Sequence, residues 1–171
     1  QIEKMDNQAS EEKLQGYRDN LKKFSRALVE LEPDNPEHRL QLLYAYEEVG
    51  EDEAVITGEI TALRKLLHEN PDPSSSLMLI GFLKSSSQQE EILNDEIAWL
   101  KKYLEQLDAS GKLDSENRYC YAYLLGEYLE ETEAAEEQLA LILEKEPEGS
   151  PVHNAAKTYL EKLQQNEAGE K

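Results

Sequence analysis

Apolar residues recur along this chain in steps of three and four, interrupted by short clusters of Pro, Gly, Ser, Asn and Asp. That period sets one apolar stripe on a helix; a half-buried strand would need alternation, and no convincing stretch of it is present. The pattern predicts eight helices. Leu14, Tyr17, Leu21, Phe24, Leu28 and Leu31 mark the first, over about 10–32. Pro33 disfavours helix at Glu32, while Asn35 and Pro36 read as the cap and first turn of the second, about 36–49. Gly50 stops it. Val55, Ile56, Ile60, Leu63 and Leu67 mark the third, about 52–70, which ends at Pro71-Asp72-Pro73. The fourth, about 73–86, stops at Ser85-Ser86-Ser87, and the fifth, about 88–108, at the loop Ala109-Ser110-Gly111-Lys112. Glu131-Thr132 separates the sixth, about 115–130, from the seventh, about 133–145. Ser150-Pro151 opens an eighth that runs to about 165. Residues 1–9 and 166–171 are expected to be frayed, which leaves one helical domain over 10–165.

Composition tempers this picture without overturning it. The 171 residues carry 18 Lys and Arg against 37 Asp and Glu, a net charge of −19, and the mean hydropathy is −0.75. Such values alone lean toward disorder. The helical period decides otherwise, because the second and fourth helices are apolar nearly all round and call for neighbours on two faces. The charge excludes broad binding to nucleic-acid phosphate and docking by charge onto an anionic membrane. The longest apolar run, Leu77 to Leu83, is far short of the ~20 residues that span a bilayer. A single cysteine, Cys120, excludes an internal disulfide framework and a Cys-based zinc site. The chain begins at Gln1 and not at Met, and a cleaved signal, a removed membrane anchor or an upstream domain is the expectation for what precedes it. The domain reads as soluble, either cytoplasmic or exposed outside a membrane.

Self-comparison exposes a repeat. Glu59-Ile60, Leu63-Arg64-Lys65 and Leu67 match Glu96-Ile97, Leu100-Lys101-Lys102 and Leu104, 37 residues on (96 − 59). In the same register Leu40 meets Leu77, Leu42-Leu43 meet Leu79-Ile80, and Val55-Ile56 meet Ile92-Leu93. Leu79-Ile80-Gly81 against Leu124-Leu125-Gly126 gives a second offset of 45 (124 − 79). A two-helix unit of about this period is the signature of an α-solenoid: each pair buries its second face on the next, and the more polar first and last helices read as caps.

At these residues the chain resembles the tetratricopeptide repeat family. Leu31 to Glu37 looks like the family's inter-repeat turn. Leu42 through Tyr46 to Gly50 and Ala54 looks like its packing pattern across the intra-repeat turn, as does Leu124-Leu125-Gly126 with Tyr128, Ala135 and Pro147. The likeness covers about 36–147 and implies an all-α solenoid of about three antiparallel helix pairs. Arg39 and Ser76 depart from it, standing where an aromatic is usual, and the second helices of the first two pairs are longer than the family's.

Chemistry is hard to find. The acidic run Glu47 to Glu53 lacks the alternating oxygen ligands and distal Glu of a calcium loop and reads as a solvated turn. Glu127, Glu130, Glu131, Glu133, Glu136 and Glu137 read as a solvated face. His38, His68 and His153 have no ligand at metal spacing. Cys120 lies between Tyr119 and Tyr121 with no local base, and the serine triplets read as helix ends and caps. Trp99 is assigned to packing rather than to a ligand platform. No catalytic residue, cofactor or metal is expected.

The resemblance implies a concave surface lined by the first helix of each pair, taking extended peptides or helices. Its positions are Glu37, Leu40, Tyr44, Glu47 and Glu48 on the second helix. On the fourth they are Ser74, Leu77, Gly81, Lys84 and Ser85, and on the sixth Tyr119, Ala122, Gly126, Leu129 and Glu130. Some of these apolar residues serve either the core or a ligand. Gly81 and Gly126 admit two readings, close approach by a ligand or close helix packing. The family's carboxylate-clamp subclass is disfavoured, because Leu40, Tyr44, Leu77 and Gly81 stand at the clamp positions. The functional expectation is a non-catalytic interaction module for a basic or amphipathic segment of another protein. The alternative is a structural or self-associating domain of a larger, membrane-tethered protein.

Overall fold

The computed structural model describes the backbone of residues 2–86 and 90–169 and the side chains of 13–86 and 90–166. Ser87 of the expected helix stop, and Gln1, Glu170 and Lys171 of the expected frayed ends, lie outside the described residues. Among the described residues the chain forms eight helices and no strand. They are α1 (Ile2–Leu31), α2 (Pro36–Val49), α3 (Glu53–Glu69), α4 (Pro73–Ser85), α5 (Glu90–Ala109), α6 (Ser115–Tyr128), α7 (Thr132–Lys145) and α8 (Pro151–Gly169). The fold is all-α and solenoid-like, with neighbouring helices packed pairwise. Helix runs through 2–9 and 166–169, where fraying is expected from sequence.

Two compact units divide the chain, residues 1–75 and 76–171. In the first, α1 packs on α2 and α2 on α3. The turns between them are built by their side chains. Asn35 accepts from the backbone N–H of Glu37 at 3.0 Å, and Asp52 from that of Ala54 at 2.8 Å. Each supplies an acceptor to an N–H that has no partner within the helix. Gly50 closes α2 in the left-handed region (φ 68°), so that Glu51 N–H reaches back to Tyr46 C=O at 2.9 Å. Leu40, Leu42, Leu43, Ala45 and Tyr46 of α2 and Ile60, Leu63 and Leu67 of α3 are buried. In the second unit α6 is the hub: it touches α5, α7 and α8. Its core joins Ile80, Leu100, Leu104, Tyr121, Leu124, Leu139, Ile142, Tyr159 and their neighbours. After α6 the left-handed position falls on Glu130 (φ 56°), a side chain where Gly would be relaxed.

The helix starts correct the repeat register. Those of α2, α4 and α6 (Pro36, Pro73, Ser115) and of α3, α5 and α7 (Glu53, Glu90, Thr132) are both spaced by 37 and then 42 residues, not 45. Burial follows the same register. Leu42, Leu43, Ala45 and Tyr46 are buried; so are Leu79, Ile80, Phe82 and Leu83; so are Tyr121, Ala122, Leu124 and Leu125. The second spacing is longer because α5 has 20 residues against 17 in α3, and because the α5–α6 loop (110–114) exceeds the α3–α4 loop (70–72). A slip of three residues is close to one helical turn, so it sets apolar against apolar and looks correct in sequence. Gly81 is therefore equivalent to Tyr44 and Tyr123, and does not match Gly126.

Candidate binding surface

The predicted surface residues separate into core and surface. Leu40 and Ala122 are fully buried and contribute to the core, so their side chains offer nothing to a ligand. Leu77 and Leu129 are half-buried and packed against the second unit's core. Ser74 contributes its N–H to the Asp72 cap at 3.1 Å, and Ser85 donates its hydroxyl to Phe82 C=O at 2.7 Å. Glu37, Tyr44, Glu47 and Glu48 remain on the surface of α2.

Three of those four line one cleft. Tyr44, Glu47 and Glu48 face Tyr17, Arg18, Leu21 and Ser25 of α1 across a cleft of about 840 Å³, completed by Gln41 and Ala45. Tyr44 is 43% exposed and Tyr17 62%, so two ring faces stand partly open. Burial, and then the Glu47 carboxylate, raise the Tyr44 pKa above its ordinary value. Arg18 Nε donates to Glu48 at 3.2 Å, bridging the two walls. Further along, Lys22 pairs with Glu51, and Arg26 Nε donates to Tyr46 Oη at 3.0 Å. The α1 wall was not legible as a site: the steps that betray the helix assign Tyr17 and Leu21 to a buried stripe. The burial of Ser25 and the ties from Arg18, Lys22 and Arg26 show which side of α1 meets α2.

In the second unit the predicted residues meet a tyrosine cluster. Tyr119 stands edge-on to Tyr159 at 6.2 Å, and Tyr123 lies 5.4 Å from the same ring. Lys84 donates to Glu127 C=O at 3.1 Å and sits 4.8 Å from the Tyr128 ring. Lys162 donates to Glu127 at 2.6 Å and so holds that carboxyl below its ordinary value. Burial, reinforced by Glu127, pushes Tyr159 far upward. Of the two glycines, only Gly126 is held to its type by close packing. A Cβ on Gly126 would run into Tyr159 Oη, whereas one on Gly81 would meet Tyr128 Oη at an ordinary 3.4 Å.

One constellation recurs between α2 and α3 and between α6 and α7. Arg39 donates to Glu59 at 2.6 Å and Arg118 donates to Gln138; in both cases the partners are 20 positions apart. Ser76 and Glu96, both fully buried, occupy the same two positions in the second pair. The two hydrogen-bonded pairs tie α2 to α3 and α6 to α7. Among the described residues no group of three or more His, Cys, Asp and Glu is placed to hold a metal ion, and no helix is long and apolar enough to cross a membrane. Comparison with protein-family models, with curated proteins and with solved structures finds no match.

Proposed function

We propose that the chain is a non-catalytic protein–protein interaction module of tetratricopeptide-like character, and that the α1–α2 cleft is its binding surface. The observation that carries this reading is the cleft itself: an apolar floor at Leu21, two half-open tyrosines, and acid at the rim from Glu47 and Glu48. Tyrosine offers broad contact area with few rotors, the property that makes it a frequent hot spot. The acidic rim and the net charge of −19 favour a basic amphipathic helix or peptide. A synthetic amphipathic Lys/Leu helix, labelled and titrated with the full chain by fluorescence anisotropy, tests the proposal. Saturable binding is expected, weakened about tenfold by Tyr44→Ala with unchanged helicity. Equal affinity of the parent and Tyr44→Ala would reject the cleft.

The alternative, a self-associating structural domain, draws on a different surface, the uncovered side of α1.

A further inference from the structure

The α1–α2 cleft differs chemically from one end to the other. Helices α1 and α2 run antiparallel through the turn at 32–35, and Arg18 of one bridges to Glu48 of the other. Tyr17 and Arg18 therefore lie at the same end as Glu47 and Glu48, and Ser25 lies with Gln41 at the other, about two helical turns away. Leu21 and Ala45 line the stretch between. The first end holds one more acid than base. Arg18 is taken by Glu48 at 3.2 Å, whereas Glu47, exposed on α2, has no ion pair among the described residues. Lys22 and Arg26, the next cations on α1, gather with Glu51 around the Tyr46 ring and line no part of the cleft. Tyr44 precedes Glu47 by three residues, so ring and carboxylate are neighbours on the helix surface, close enough for the charge to raise the phenol's pKa. The second end is uncharged. Ser25 is only 3% exposed, and its hydroxyl has no hydrogen bond among the described residues. Gln41 is exposed.

This asymmetry selects a ligand. A carboxylate without a cation, beside a half-open tyrosine, suits a group that pairs and stacks at once. A guanidinium does both: its fork matches a carboxylate, its plane lies on an aromatic ring, and it is weakly hydrated. An ammonium is a strongly hydrated point charge and gives up more on entering a cleft floored by Leu21 and Ala45. The cleft runs about 12 Å along α1, from Tyr17 to Ser25, which is two turns of a helix laid over the pair. In the second unit α8 contacts both α6 and α7 in this way, whereas no residue of α3 lines the α1–α2 cleft. On the proposal that this cleft binds a partner, we infer that the partner is a helix anchored by one arginine, which pairs with Glu47 and stacks on Tyr44. Apolar side chains three and four residues away from the arginine cover Leu21 and Ala45. An uncharged amide or hydroxyl side chain seven residues away meets Ser25 and Gln41, because those spacings share one face of the ligand helix.

Three labelled synthetic amphipathic helices test this. They carry Gln seven residues from the anchor position and differ only at the anchor, which is Arg, Lys or Gln. Each is titrated with the full chain by fluorescence anisotropy. The Arg helix should bind tightest, the Lys helix about threefold weaker and the Gln helix about tenfold weaker. Glu47→Gln should weaken the Arg helix about tenfold and the Gln helix less than about twofold, with helicity unchanged because Glu47 is exposed. Glu133→Gln, the same charge change at an exposed position of α7, should leave both affinities as they are. An Arg helix that binds no better than the Lys or Gln helix, or a loss in Glu47→Gln that is equal for the Arg and Gln helices, overturns the arginine anchor, while a loss of binding in Tyr44→Ala still upholds the cleft. Binding of none of the three helices, or binding indifferent to Tyr44→Ala, overturns both.

Discussion

At the scale of single residues, Gly81 and Gly126 show how differently one residue type is used. Helical Gly is less favourable than Ala by about 1 kcal/mol, so Ala should stabilise wherever a methyl fits. At Gly81 it fits: the nearest atom, Tyr128 Oη, would be 3.4 Å away. Gly81→Ala is expected to stabilise the chain by about 0.5–1 kcal/mol. At Gly126 the methyl meets the buried Tyr159, held between Tyr119 and Tyr123, and overpacking of roughly 1–3 kcal/mol outweighs the propensity gain. Gly126→Ala should therefore lower the urea midpoint, and adding Tyr159→Phe should restore it by removing the oxygen. Neither outcome is legible in sequence, where the two glycines look alike. The space around a glycine is set by whichever side chain arrives from another helix.

At the scale of elements, most of the helices were legible in the chain alone. The observed limits of α2, α3, α4 and α7 fall within a residue or so of those predicted, because Pro, Gly, Asn and Asp act on the backbone locally. The pairing of helices was legible through the 37-residue repeat; the register of the third repeat was not. Leu124-Leu125-Gly126 imitates Leu79-Ile80-Gly81 one turn out of phase, and only the burial pattern separates the two alignments. The polar tie between α2 and α3, and again between α6 and α7, was equally hidden, because its partners lie 20 residues apart and vary from Arg–Glu to Arg–Gln. Arg39 and Glu59 are each less than one-fifth exposed, so an orphaned partner would remain poorly solvated. Arg39→Ala is expected to destabilise the chain by about 2 kcal/mol in urea unfolding. Arg39→Met with Glu59→Leu should recover most of that, since the loss lies in the unpaired charge. A change below about 0.5 kcal/mol for Arg39→Ala would mean that the pair is merely a surface contact.

At the scale of the whole molecule, the acidic charge does two things. Its mutual repulsion opposes aggregation near neutral pH, and it surrounds a few cations that hold helices together. Glu127 and Glu51 are both held below the ordinary carboxyl value of 4.5, by Lys162 and Lys22 respectively. A carboxyl whose folded pKa is depressed stabilises the fold above its unfolded value, and that contribution is lost as pH falls through the folded one. Thermal midpoints measured by circular dichroism should therefore hold from pH 7 to about 5 and decline below about 4.5, with a shallower acid limb in Lys162→Met. An unchanged limb in that variant would show that the Glu127 pair contributes nothing. The sequence by itself determined the all-α class, most of the inner helix limits and the 37-residue repeat. All of these follow from propensities and periods that act within a few residues along the chain. Only the tertiary structure decided which apolar residues remain uncovered. Leu40 and Tyr44 are indistinguishable by period, yet Leu40 is buried and Tyr44 is 43% exposed. Exposure depends on where a neighbouring helix ends, and α2 is too short and too one-sided to cover α1.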